Sequence, residues 1–565
     1  MRRLTGGLAA LLLAMTTVPA AAAGVAVAPV GVPAPTFTNY YAPPGFTAPR
    51  VSANCTTGAL NCDLTGEPSI GVDYATGKVM MQQWLTTARL SFNDRQSPPG
   101  ITWEDVSSPL TQQASLDAIL FTDNQTKRTF TSQLAASGGS ITVFSDDDGQ
   151  TWLPSQGGGQ PAGPDHQTIG GGPYPAAVSP LSAAYPHVFY YCSQGVAAEI
   201  CAPSFDGGVT YQNSQKIFDA SQCLPGLHGH VKVAPNGTAY VPIKACDEAQ
   251  LAADTASGLI YPGKKGVAIS RNAGLTPWDF NTIPDSYTKV GTIGHDPSIG
   301  IGAHNTVYYG YTDARGYDTS PPDPNATTVA KVAVSHDDGR TWSESTALRP
   351  QLGLKNVDFP VVVAGDDNRA AFAFLGTTTA GHTDIDETAS DPKTVFKGVW
   401  YLYVGMTYDG GKTWKVVNAT PGDPVQRGCI APGSATNCRN MLDFNDITVD
   451  RQGRVLVAYT DGCHAACEND PANDITKRSR WASVVRQTCG LGLYAAYDST
   501  LSGGCFTAAS NSFVPGRATS AAGGALPNTA TAPVRGAVRW VAFGTIAMAV
   551  AGMTFGAARR RRRPV

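Results

Sequence analysis

Charge is what this sequence has least of. Asp, Glu, Lys and Arg make up 15% of its 565 residues and nearly cancel, leaving a net charge of −3 at pH 7. Without a basic surplus there is no electrostatic footprint for a phosphate backbone, so nucleic acid is excluded as a partner. Long helical periodicity is also missing between residues 60 and 510, which excludes a helical bundle. No cysteine is left over from pairing, because the 12 form an even set. What fills the chain instead is 61 glycines and 40 prolines, the composition of a loop-rich β protein.

One short phrase recurs. Ser145-Asp146-Asp147-Asp148-Gly149-Gln150-Thr151-Trp152 is echoed at 204–211, 335–342 and 407–414, and in degenerate form at 270–278, where Asn272 replaces the Asp. A weaker echo runs from Ser91 and Asn93 to Thr102-Trp103. A repeated phrase means a repeated structural unit. Its chemistry is that of a tight turn. Asp147, Asp206, Asp337 and Asp409 can accept hydrogen bonds from turn amides and Ser/Thr hydroxyls, while Gly149, Gly208, Gly339 and Gly411 supply a positive φ. The closing Trp or Tyr packs beneath the turn.

The phrase resembles the Asp-box, or bacterial neuraminidase repeat, of sialidases and other β-propellers, and the resemblance covers roughly residues 60 to 510. It implies that the boxes sit on the outer rim and that their Asp residues are structural rather than catalytic.

Apolar strands begin at Glu67, Asp117, Tyr174, His228, Asp296, Asp358 and Asp443, at intervals of 50, 57, 54, 68, 62 and 85 residues. That spacing fits four-stranded blades with loops. The expected fold is an all-β propeller of seven blades; six stay open if one terminal unit only completes a neighbour.

In a propeller the first strand of each blade lines the central channel, so these seven residues converge on one mouth. Five are carboxylates, and a cluster of acids separates pKa values and so acid and base roles. Glycoside hydrolysis needs such a pair. Glu67, Asp117, Asp296 and Asp358 are therefore the catalytic candidates, with His228, Arg439 and Asp443 as substrate-binding residues. The sialidase resemblance implies that Tyr174 is a nucleophile activated by a carboxylate. The same ring of oxygens suits Ca2+, and acids at strand entrances can equally serve backbone amides alone. His228 and His230, two apart on one strand face, also have the spacing of metal ligands. Sialidases carry an Arg-Ile-Pro near their start; here the comparable segment is Gly66-Glu67-Pro68-Ser69. Arg89, Arg315 and Arg439 do not recur at strand starts, so a three-arginine grip on a substrate carboxylate has no place, and neutral glycans are at least as good a fit as sialic acids.

The ends address the chain. Arg2-Arg3, an apolar run and small residues up to Ala23 read as a secretory signal over 1–23, followed by an N-terminal extension over 24–60 and the propeller over 61–510. A polar linker over 511–533 contains Leu526-Pro527-Asn528-Thr529-Ala530, which resembles a sortase sorting signal with Ala in place of Gly and Thr529 as the joined residue. An apolar stretch over 540–558 within 534–565, closed by five arginines, reads as a membrane span. An exported, surface-anchored propeller follows, with extracellular glycans or surface proteins as partners, the membrane and a sortase at its C-terminal end, and either glycan chemistry or adhesion as its task. In that oxidising setting near neighbours pair: Cys55–Cys62, Cys192–Cys201, Cys223–Cys246, Cys429–Cys438, Cys463–Cys467 and Cys489–Cys505. The alternative at Cys463-His464-Ala465-Ala466-Cys467 is a metal site.

Overall fold

The computed structural model describes residues 31–511, apart from 48–64, 112–114, 136–138, 157–165, 179–183, 196–197, 213, 224–227, 247–262, 287–295, 318–320, 349–351, 386–392 and 431–437. The segment 512–565 lies outside the described residues. So do the signal region 1–23, the Cys55–Cys62 pair, Thr529 and the apolar stretch 540–558. No helix among the described residues is long and apolar enough to cross a membrane.

Seven antiparallel sheets form seven blades. Their innermost strands are Ser69–Val72, Ser115–Thr122, Gln167–Pro173, Lys232–Val233, Ser298–Ile301, Asn356–Ala364 and Asp446–Val449, numbered here as blades 1 to 7. Blades 1 to 6 are built from consecutive strands, whereas blade 7 takes its outermost strand, Thr36–Tyr41, from the segment read as an N-terminal extension. That strand pairs antiparallel with Trp481–Cys489, so the two ends of the propeller are stitched together in one sheet.

Apolar faces of neighbouring blades supply the core. Between blades 2 and 3, for example, Phe130, Phe144, Ile169 and Phe189 form one buried cluster. Near the axis, inner strands approach too closely for side chains. A Cβ on Gly170 would lie 2.3 Å from the Val231 carbonyl oxygen, and one on Gly300 would lie 2.8 Å from the Val363 carbonyl carbon. Side-chain oxygens bridge the same seams, with Val231 N donating to Thr168 Oγ1 (3.0 Å) and Val362 N to Ser298 Oγ (3.1 Å).

Where blade 7 meets blade 1, four buried charges fasten the ring. Asp94 takes Arg486 (2.6 Å) and Arg454 (2.9 Å), while Asp450 takes Arg454 (2.7 Å) and Arg486 (3.3 Å). Arg486 also lies over the Phe92 ring at 4.2 Å.

The repeated phrase joins the third and fourth strands of blades 2 to 6. In blade 2, Ser145 Oγ donates to Asp147 Oδ1 (2.8 Å), while Thr151 N and Oγ1 donate to the two carboxylate oxygens (2.8 and 2.6 Å). The pattern repeats around Asp206, Asp337 and Asp409. Burial pushes these carboxyls up, but the bonds from the Thr and Ser donors outweigh it and hold all four below the usual range, Asp337 at about 2. The residue before each Gly is left-handed as well: Asp148, Gly207, Ala273, Asp338 and Gly410 all have φ between 57° and 80°.

Asp148 carries an expected outcome. It lies against Asp73, in the first hairpin turn of blade 1, and burial followed by the charge of Asp73 pushes its carboxyl up. A raised folded pKa gives stability that is present in acid and lost as pH rises through it. Asp148→Asn removes that loss, so at pH 7 it is expected to raise the urea-unfolding free energy. The gain should vanish below the ordinary carboxylate range.

Five of the six expected disulfides lie within the described residues and all five form: Cys192–Cys201, Cys223–Cys246, Cys429–Cys438, Cys463–Cys467 and Cys489–Cys505. The fourth excludes the metal reading of Cys463 and Cys467. Such pairing is that of an extracellular protein.

Candidate ligand site at the axial mouth

The inner strands all begin at one end of the propeller, and their entrances make its mouth. Four entrances carry a residue in the left-handed region: Glu67 (φ 49°), His166 (60°), Phe359 (55°) and Leu442 (62°). Each costs of order 1 kcal/mol for a residue with a Cβ, a strain that the surrounding blades must hold.

Blades 3, 4 and 5 build the most connected part of the mouth. His166, just ahead of the inner strand of blade 3, places Nε2 2.6 Å from Oδ2 of Asp296 at the entrance of blade 5. Both side chains are less than 10% exposed. Between them in chain order stands His228 of blade 4, whose ring meets that of His166 edge to face at 5.5 Å. His228 Nε2 lies 2.9 Å from Glu199 Oε1, and its Nδ1 donates to the Gly229 carbonyl at 2.9 Å. Burial disfavours the charged ring, but Glu199 outweighs burial, and the His228 pKa is raised. For Asp296 burial again pushes upward, and His166, Lys244 and His228 together bring it below its ordinary value.

Behind Asp296 lies a layer of lysines. Lys331 pairs with Asp313 at 2.8 Å, and Lys265 Nζ donates to the Lys244 carbonyl at 3.2 Å. Lys244, Lys265 and Lys331 are all buried. Desolvation dominates at Lys265 and takes its pKa down to about 7.

The mouth has a floor. His230 of blade 4 reaches Asp446 of blade 7 (3.7 Å), and Asp446 Oδ2 accepts the Ile70 amide of blade 1 (2.9 Å). The Phe444 ring stands edge-on to His230 at 4.8 Å and joins the apolar cluster of Ile119 and Ile169. Blades 4 and 7 therefore touch across the axis near the strand entrances.

Glu67 and Asp117 are buried at the entrances of blades 1 and 2, and the Asp117 carbonyl accepts Gln167 Nε2 at 2.9 Å. Asp358 is buried and accepts the Phe359 amide (2.8 Å), supporting the left-handed backbone there. Asp443 is held by Arg439, whose Nε lies 3.0 Å from Oδ1, and the acid that opens the blade 7 strand is Asp446. Tyr174 is placed differently. It follows Pro173, the last residue of its strand, so it lies at the far end of blade 3 from the mouth, its hydroxyl donating to the Phe205 carbonyl (3.3 Å). Burial and the charge of Asp206 raise its pKa to about 12. His228 and His230 diverge onto carboxylates of different blades, and no group of three or more His, Cys, Asp or Glu with metal-holding geometry occurs among the described residues. Arg89 pairs with Glu104 (3.0 Å), in the outermost strand of blade 1.

No family model matches this chain, and no curated protein matches it. Solved propellers do resemble it. An α-L-arabinanase of Penicillium chrysogenum, solved with arabinobiose, aligns at 9% identity over 82% of this chain and 99% of its own, with a TM-score of 0.37. The six-bladed fucose-recognising lectin of Aleuria aurantia aligns at 13% identity over 62% and 95%, with a TM-score of 0.34. A luciferin-regenerating enzyme aligns at 9% over 66% and 92%, also at 0.34. Likeness at this level says nothing about the chemistry of the mouth.

Proposed function

We propose that this chain is an extracellular propeller that engages a glycan at its axial mouth, with binding as its main task. The observation that carries this reading is the His166–Asp296 contact at 2.6 Å with His228 and Glu199 beside it: charged donors and acceptors from three successive blades, brought together at the strand entrances. Sugar hydroxyls are met by such fixed donors and acceptors. An apolar floor in Phe444 gives a ring face something to rest on.

Turnover is the second reading, and one observation limits how it would run. A glycosidase needs a carboxyl kept neutral to protonate the leaving oxygen. The mouth acids Asp296 and Asp446 are instead held low, by His166 and by Lys232 and His230 respectively, against the upward push of burial. A hydrolase here would use His166, 2.6 Å from Asp296, as its proton donor and Asp296 to orient it. Surface anchoring through the segment 526–558, with Thr529 as a sortase's target, belongs to the same proposal, and so does an adhesion role toward surface proteins.

The test uses the secreted protein spanning residues 24–510 on a glycan array and on a panel of fluorogenic glycosides that includes a sialoside, with and without Ca2+. Saturable binding without product is the expected result. Product release would move the assignment to the hydrolase, and an empty array with folded protein would overturn the glycan reading.

A further inference from the structure

The closing strand of blade 7, Thr36–Tyr41, ends in a cluster that neither binding nor turnover uses. Tyr41, its last residue, stands opposite Ser483, which stands opposite Tyr459; two residues beyond Tyr459, Asp461 stands opposite Trp481. Paired residues share a face of a sheet, and so do residues two apart along a strand. Asn39, Tyr41, Tyr459 and Asp461 therefore lie on one face of blade 7. They lie at its mouth end, since Asp461 is beyond Ala458, the partner of the Asp446 that opens the inner strand. Blade 6 meets that face with Asp423, from the connection after its outermost strand, Lys415–Asn418. The Tyr41 hydroxyl donates to Asp423 Oδ2. Asn39 Nδ2 donates to the same oxygen (3.0 Å) and to the Tyr41 oxygen (2.7 Å), and the Tyr459 hydroxyl donates to Asn39 Oδ1 (2.8 Å).

The protons of this cluster can be counted. Asp461 is fully buried; its Oδ1 accepts the Cys463 amide at 2.8 Å, and its Oδ2 receives no hydrogen bond. The Tyr41 hydroxyl is the group that reaches it. A phenol has one proton, however, and Asp423 takes it, so toward Asp461 the Tyr41 oxygen can only accept. Tyr459 has given its proton to Asn39, and Asn39 has given both of its own to Asp423 and Tyr41. The other ionisable groups around are the acids Asp423 and Glu468, and His464, whose ring packs on Tyr41 at 4.5 Å with Nδ1 3.4 Å from Glu468. A carboxylate at 461 would leave a buried charge facing lone pairs; a carboxylic acid supplies the donor that is missing. We propose that Asp461 is the proton switch of ring closure: as a neutral acid it donates to Tyr41 and holds the end of the closing strand, and as a carboxylate it repels Asp423 across the Tyr41 hydroxyl and lets that strand lift. Burial first, then the charges of Asp423 and Glu468, push its carboxyl well above the usual range, against the pull of the Cys463 amide. A raised folded pKa gives stability that is whole below the ordinary carboxylate range and is lost as pH rises through the raised value. Closure is therefore firmest in acid, whatever the mouth binds.

The experiment is amide hydrogen exchange of the full-length protein from pH 5 to 9, with each rate divided by that of an unstructured peptide at the same pH. Protection of Thr36–Tyr41 and of its partner Trp481–Cys489 should fall about tenfold per pH unit, the slope of one proton, until the switch has turned over. The outermost strand of blade 1, Gly100–Asp105, should stay flat over the same range. Asp461→Asn, whose amide donates at every pH, should remove the fall and keep the strand protected. Asp423→Asn takes away the facing carboxylate, so the total loss of protection between pH 5 and 9 should shrink. A wild type without the fall, a fall that persists in Asp461→Asn, or one that blade 1 shares, overturns the proposal. Should Asp461→Asn not fold, Asp423→Asn decides alone, and an unchanged loss of protection overturns the switch. Because the readout is strand opening, the result stands apart from the outcome of the glycan array.

Discussion

Arg486→Met is expected to cost about 3–5 kcal/mol of folding stability, the range for removing one partner from a buried ion pair. Arg486 and Arg454 together neutralise Asp94 and Asp450, and all four side chains are less than a tenth exposed. After the substitution one guanidinium faces two carboxylates in a site where all the remaining side chains are buried. The cost falls on ring closure, since Asp94 belongs to blade 1 and the other three to blade 7. Chemical denaturation should show a lower midpoint. Adding Asp94→Asn to Arg486→Met should recover part of the loss, because the two act on one network. A loss below about 1 kcal/mol would show that blade packing, rather than the charge cluster, closes the ring.

Asp296→Asn is expected to lower affinity for whatever glycan the array identifies by about 30-fold or more, the scale for truncating one partner of a buried hydrogen-bonded charge pair. The amide is close in shape to the carboxylate, so packing survives. What goes is the negative charge that His166, Lys244 and His228 all face. The melting temperature should move little by comparison. Asp358→Asn supplies the contrast. Its carboxylate is spent on the Phe359 amide, so its effect should appear in stability. Equal losses of stability and binding at Asp296 would mean that the entrance acids serve the backbone alone.

The blades were legible in the sequence because strand starts recur at a regular spacing and, in blades 2 to 6, the boxed turn repeats with the same period. Seven starts correspond to seven sheets. The strand Thr36–Tyr41 was not legible, since its partner lies some 440 residues away and six residues carry no signal of so distant a pairing. At the mouth, Glu67, Asp117, Asp296 and Asp358 were found by their place before or within an apolar run. His166 was hidden because the strand after it reads Gln167-Thr168-Ile169-Gly170-Gly171-Gly172, which resembles a loop; the apolar start was sought downstream, at Tyr174, seven residues beyond the Gln that opens the strand. A Cβ on Gly170 would meet the next blade's backbone and one on Gly171 the Phe189 ring of its own blade, tertiary facts without a local signature. The lysine layer was illegible for a similar reason. Nothing in Lys264-Lys265-Gly266 shows which lysine is buried, and only burial makes one of them titrate near neutrality.

The shared sheet of blade 7 also sets a timetable. Thr36–Tyr41 is made early, and its partner, Trp481–Cys489, is made after nearly all the rest. For most of synthesis that first strand has no place to go, with both edges unpaired. A chain interrupted anywhere before residue 481 can assemble blades but never a closed circle, so each incomplete product carries an open sheet edge and an orphan strand. Completion is thereby all or none. An unfinished chain is marked as unfinished by its own unpaired backbone.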